Sequence, residues 1–197
     1  MNFLLFLLAL VFPIAVPVVQ DGVQDVHDPL AGWTVQDVQI GATPQPTGPG
    51  LPVRLKISVI GLDSVVEYVG QSTDGAMGVP TNQDDVGWFQ LGQRPGEVGT
   101  AVIDGHYGYK DGKPSAFDDL HKLRAGDEVI VEDDRGVTRT FVVRAIRRYD
   151  PKADAAGIFT SSDDAVHLNL ITCEGVWDTA QNGYPQRLVV FTDELTP

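Results

Sequence analysis

Short β-prone runs recur from residue 53 to the end of the chain, and this repetition constrains the fold more than any other feature. In the first run Val53, Leu55, Ile57 and Val59 alternate with Arg54, Lys56 and Ser58, the period-two pattern of a strand with one buried face. Further runs fall at 64–69, 87–91, 100–104, 128–132, 137–147, 167–172 and 188–192, with Gly, Pro and Asp between them. Strands so short and so regularly spaced predict an all-β sandwich or barrel rather than a βαβ sheet. One helix is expected, over 116–123. Ser115 stands as its cap with Asp118 three residues on, Phe117, Leu120 and Leu123 form an inner face, and Gly126 lies just beyond. Asp133-Asp134-Arg135-Gly136 reads as a hairpin turn.

The β pattern begins only after two other kinds of sequence. Residues 1–20 carry no charged side chain and are dominated by Leu, Phe, Val and Ile, which predicts a membrane anchor or signal segment. The positive flank of a signal peptide is missing, no small-residue cleavage site stands out near Ala15, and Pro13 and Pro17 interrupt the run. An uncleaved single-pass anchor is therefore the preferred reading, with the rest of the chain outside the cell. Residues 21–50 are polar and rich in turn formers, ending Thr43-Pro44-Gln45-Pro46-Thr47-Gly48-Pro49-Gly50, a composition suited to a linker. What remains, 51–197, is enough for one domain with one core.

A net charge of −13 argues against nucleic acid, whose binding rests on basic neutralisation of phosphates. A single cysteine excludes an internal disulfide or a Cys-rich zinc site, and a zinc site built from Cys173 with His106, His121 or His167 lacks the short spacing such ligands show. Glu132, Asp133 and Asp134 do not form a calcium loop of the Asp-x-Asp-x-Asp-Gly type and read as a solvated turn. No metal and no cofactor is expected.

Three residues carry the candidate chemistry. Cys173 stands where the 167–172 strand gives way to a Glu-Gly turn, and Arg187 opens the 188–192 strand. If the two strands pair, the guanidinium meets the thiol, the electropositive setting in which a cysteine reacts rather than merely packs. His106 follows an apolar strand and Gly105, on a rim where a general acid and base has to sit. His27 falls in the linker, while His121 and His167 read as surface or packing residues. A thiolate can attack an amide and store the acyl group as a thioester, the histidine can move the protons, and the arginine can hold an oxyanion or clamp the substrate backbone. Thr172 is a secondary candidate, as an oxyanion or substrate-binding donor.

These residues resemble the sortases, cysteine transpeptidases that attach proteins to Gram-positive cell walls. The run LITC, 170–173, looks like the family's nucleophile strand, with Asn169 where threonine is usual. Gly105-His106 matches its catalytic histidine, and Arg187 before LVVF its arginine. DGAMGVP (74–80), VGWF (86–89), RPGEVGTAVIDGHY (94–107) and FDDLHKLRAGDEVIV (117–131) extend the likeness, in the family's order, over nearly all of 51–192. The pattern looks most like classes E and F. The resemblance implies a closed eight-stranded barrel with one or two short helices. It also implies cleavage after Thr of an LPxTG- or LAxTG-type sorting signal on a surface protein, followed by transfer to an amine of a cell-wall precursor or pilin. A monomer is expected. A non-catalytic barrel that binds peptide or wall polymer has no use for a nucleophile, and a thiol protease would differ only in letting water take the acceptor's place. The aromatic lid of pilus-polymerising members is not evident upstream; Asp28-Pro29-Leu30 comes nearest.

Overall fold

The computed structural model describes residues 48–195 apart from 74 and 181; the expected anchor, the Asp28 motif and linker residues 21–47 lie outside the described residues. Strands run in the order β1 (Pro52–Ile57), β2 (Leu62–Val69), β3 (Val86–Phe89), β4 (Gly99–Gly105), β5 (Tyr109–Lys110), β6 (Lys113–Pro114), β7 (Glu128–Asp133), β8 (Thr138–Tyr149), β9 (Val166–Glu174) and β10 (Gln186–Glu194). Eight of them close a barrel in the order β1-β2-β3-β4-β9-β10-β8-β7, and β5 and β6 form a separate two-stranded ribbon. The fold is all-β, as the strand spacing predicts, and closure selects the barrel over the sandwich.

Two neighbours in the barrel, β2 with β3 and β4 with β9, are parallel, and the other pairs are antiparallel. Parallel neighbours require long crossover connections, and the crossings at 70–85 and 106–165 supply the segments that surround the site. Leu55, Ile57, Ile103, Phe141, Leu168, Leu170, Leu188 and Val190 point inward to a single core. A smaller apolar cluster lies on the outer face of β9 and β10, where Val189 and Phe191 meet Ile158 and Phe159. Those two residues belong to the short helix α1 (Ala156–Phe159), which the sequence reading leaves as loop.

Three expectations change. The helix over 116–123 is a series of turns containing one 3-10 turn, Leu120–Lys122. Phe117, Leu120 and Leu123 are buried as the pattern requires, but the capping groups are spent elsewhere. The Ser115 hydroxyl donates to the Gly108 carbonyl at 2.5 Å, and an Asp118 carboxylate oxygen accepts from the Gly108 amide at 3.1 Å. Both side chains thus tie down the β5–β6 ribbon instead of starting a helix. Val59 leaves the inward stripe: β1 stops at Ile57, the chain turns through Ser58–Ile60, and Val59 is exposed.

The acidic turn after β7 is solvated only in part, with Asp134, Arg135 and Gly136 exposed. The Asp133 carboxylate is buried and accepts from the Gly50, Arg135 and Val137 amides, at 2.8, 3.0 and 2.9 Å. Asp134 accepts from Leu51 at 2.9 Å, while Arg135 and Arg94 donate to the carbonyls of Gly48 and Pro49. Residues 48–50 are therefore bonded into the barrel. A side chain at Gly50 would run into both carboxylates.

Candidate active site

Strand pairing brings two of the three candidate residues together directly. β9 continues through Cys173 to Glu174 and β10 begins at Gln186, so the thiol lies within the strand end, with Arg187 as its cross-strand partner. Cross-strand partners lie about 5 Å apart at their Cβ atoms. On the other side of β9 the parallel register pairs Asp104 with Ile171. His106 follows directly on the end of β4 at Gly105. All three residues line the same cleft.

The histidine is held by its backbone and by its ring. Gly105 lies against the buried Phe117 ring, where a Cβ would come within 2.7 Å of the ring atoms, and the Phe117 amide donates to the His106 carbonyl at 3.0 Å. This explains the glycine before the histidine: the strand can reach its end over Phe117 only without a side chain there. His106 Nε2 lies 2.8 Å from the Pro80 carbonyl. A carbonyl only accepts, so Nε2 donates, and in the neutral ring the lone pair is on Nδ1. The Pro80 segment is positioned in turn by Glu67, whose carboxylate accepts from the Thr81 and Asn82 amides at 2.8 and 2.9 Å. Those two amide bonds hold the Glu67 carboxyl below the usual range.

Burial pushes the Cys173 thiol up, the Arg187 guanidinium pulls it back, and Asp104 adds to the rise. Burial and Asp104 thus favour the thiol over the thiolate, and Arg187 opposes them. Arg187 Nη1 donates to the carbonyls of Tyr184 and Gln186 at 3.3 and 3.2 Å, long bonds that leave most of its donors for other partners. Thr172 lines the same cleft as Cys173. It is buried, and its hydroxyl donates to the Gly105 carbonyl at 2.7 Å, tying β9 to the end of β4 beneath the site.

Cys173, His106 and Arg187 line a cleft of about 600 Å³, with Val79, Ile158 and Phe159 among its apolar walls. A second cavity of about 330 Å³, lined by Tyr107, Tyr109 and Ser115 among others, meets the first at His106. His121 and His167 lie outside both. His167 is buried between the carboxylates of Asp193, 2.7 Å from Nδ1, and Asp163, 2.9 Å from Nε2, so it packs β9 against the 151–165 segment.

The sequence reading misses three contributors. Asn169 fills the position where threonine is usual and donates to the Ile158 carbonyl at 2.7 Å, fastening α1 over the cleft. Glu67 acts through the Pro80 segment. Asp104 enters the cleft itself; the strand alternation that turns Thr100 and Val102 outward turns it outward too, and this was the available signal. Among the described residues no group of three or more His, Cys, Asp or Glu side chains could hold a metal, and no helix is long and apolar enough to cross a membrane.

The barrel has counterparts in solved structures. Sortase C-1 from Actinomyces oris aligns with 21% identity over 73% of this chain and 73% of its own, at a TM-score of 0.57. A lid mutant of sortase A from Corynebacterium diphtheriae gives 22%, 78%, 75% and 0.58 in the same terms. Sortase C1 from Streptococcus agalactiae gives 22%, 84%, 79% and 0.58. At such identities the likeness establishes the fold. No curated protein matches the chain. The family model described as the sortase domain matches residues 55–195, which spans the whole barrel from Leu55 onward, and on that match the chain belongs to the sortase family of cysteine transpeptidases.

Proposed function

We propose that this chain is a membrane-anchored sortase that cleaves a C-terminal sorting signal of the LPxTG or LAxTG type and transfers the acyl group to an amine of a cell-wall precursor or pilin. The observation that supports this reading is a peptide-sized cleft lined by His106, Cys173 and Arg187, with Cys173 and Arg187 as cross-strand partners. In this scheme His106 accepts the Cys173 proton and the sulfur attacks the threonine carbonyl. Arg187 donates to the oxyanion or to a neighbouring carbonyl. His106 then returns the proton to the departing amine as the C–N bond breaks, leaving a thioester on Cys173. An acceptor amine attacks the thioester, loses its proton to His106, and releases the thiol.

The second cavity beside His106 favours transfer over hydrolysis, because it gives an acceptor a place to approach the thioester next to the base. Residues 1–20 would hold the enzyme in the membrane, with 21–47 as its tether. Incubating the full chain with a sorting-signal peptide and an amine tests the scheme by mass spectrometry. The expected products are an acyl adduct on Cys173 and a transpeptidated peptide. Cys173→Ala should abolish both and His106→Ala nearly so, while unchanged turnover in Cys173→Ala would remove the proposal.

A further inference from the structure

A carboxyl group lies in the cleft without a role in the transfer chemistry. Asp104 sits one residue before Gly105, on the outer face of β4, between Gly87 of β3 and Ile171 of β9. Its Oδ1 is sealed from solvent and has no hydrogen-bond partner among the described residues. Space for it is made by the neighbouring strand: a Cβ at Gly87 would fall 2.5 Å from that oxygen. Burial pushes the carboxyl up to about 8, with Glu67 adding to the rise. An acid with one oxygen buried and unpartnered is costly, and a ligand that pairs with its carboxyl group offsets that cost.

The charges around the cleft indicate which ligand. Asp150 and Asp154 line the same cleft, against one permanent cation, Arg187. The titratable groups that act on Asp104 or share its cleft include Glu67 on β2, Cys173 on β9 and His106 after its own strand. Gly87 of β3 brings no charge, and the guanidinium of Arg187 lies one row away on β10. A neutral donor would leave the carboxylates uncompensated, whereas a cation offsets them and recovers the desolvation of Asp104. Asp104 is two strand residues from the level of Cys173, about 7 Å, within reach of a side chain near the scissile bond.

We propose that Asp104 is a specificity-determining residue that selects acyl-donor peptides carrying a lysine side chain within three residues of the scissile bond. The proposal rests on the transpeptidase reading above. The lysine ammonium donates to the Asp104 carboxylate on the side that lines the cleft, and protonation of Asp104 competes with it, so selection strengthens as pH rises toward 8.

The test is competition between peptides that carry lysine or its uncharged isostere norleucine at each position in turn, with product read by mass spectrometry. The native chain should favour lysine by about tenfold or more at one position, the scale of one charge-assisted hydrogen bond. Asp104→Asn and Asp104→Ser, each checked for a native thermal transition, should bring that ratio to within about twofold of unity. A flat native scan, a preference that survives in both variants, or a lysine preference confined to the amine acceptor would overturn the proposal while leaving the transpeptidase intact. A second measurement needs no turnover: modification of Cys173 by cationic aminoethyl methanethiosulfonate relative to the neutral methyl reagent. The ratio cancels the thiolate fraction, and it should fall several-fold in Asp104→Asn. That fall in a protein that cleaves no peptide would sink the transpeptidase reading and keep the cation selectivity; an unchanged ratio would sink the selectivity.

Discussion

Cys173 experiences two opposing neighbours, Asp104 raising its thiol and Arg187 lowering it, on top of the rise from burial. Removing the acid should lower the pH midpoint of Cys173 alkylation, and Arg187→Gln should raise it. A pH series with iodoacetamide reads both shifts, and shifts in the reverse directions would refute this account of the thiol. Lysine at 187 keeps the charge, so the midpoint should stay put, yet turnover should still fall by ~100-fold or more, because the planar fork that fits a carbonyl or oxyanion is lost. Asp104 also leaves a mark on stability. Between the unfolded value of about 4 and the folded value of about 8, the folded chain holds a proton that the unfolded chain releases, so stability falls as pH rises through that window. Thermal melts of Asp104→Asn should lie above those of the native chain at pH 8, with the gap closing toward pH 4. Gly105→Ala should cost about 1–3 kcal/mol, the overpacking penalty against Phe117.

At the scale of elements, the site is assembled by segments that cross between parallel strands. Glu67 on β2 holds Thr81 and Asn82, the segment presents the Pro80 carbonyl, and that carbonyl fixes the His106 ring. Glu67→Ala should therefore reduce kcat by about 10- to 100-fold through misplacement of the base, with little change in KM. Glutamine, which retains a carbonyl acceptor, should recover a large part of the loss. Equal damage from both substitutions would mean that the Glu67 charge, rather than its hold on the segment, is what matters. On the opposite side Asn169 fastens α1 over the cleft, and a threonine there cannot donate an amide N–H to Ile158.

At the scale of the molecule, the barrel closes where β7 meets β1, and the Asp133 cluster locks that seam to residues 48–51. Burial pushes the Asp133 carboxyl up, but three amide hydrogen bonds bring it below its ordinary value. Its contribution to stability is complete above pH ~4 and is lost as pH falls through the lowered folded value. Asp133→Asn should reduce stability at neutral pH and show a weaker acid dependence in denaturant titrations. A chain beginning at Gly48 should fold and keep full turnover on soluble peptide, whereas one beginning at Arg54 loses Gly50 and Leu51 and should melt lower. Equal melting temperatures for the two would show that the seam contributes nothing.

The period-two runs determined by themselves that the domain from residue 51 onward is built of strands, because alternation leaves no other way to bury Leu55, Ile57, Leu168 and Leu170 on one face. They also made Cys173 and Arg187 candidates, since both stand at the ends of such runs. The residues that turn a strand into a site were not legible there. Asp104, Glu67 and Asn169 are polar residues in or beside β strands, and a strand pattern gives such positions only a face. Whether that face meets water, an amide or a sealed cleft depends on which strand lies alongside. The parallel pairing of β4 with β9 joins residues more than sixty positions apart, and no local propensity encodes that choice. The failed helix has the same origin: Ser115 and Asp118 have the chemistry of a cap, but the β5–β6 ribbon, packed beside them only in the folded barrel, takes their hydrogen bonds first.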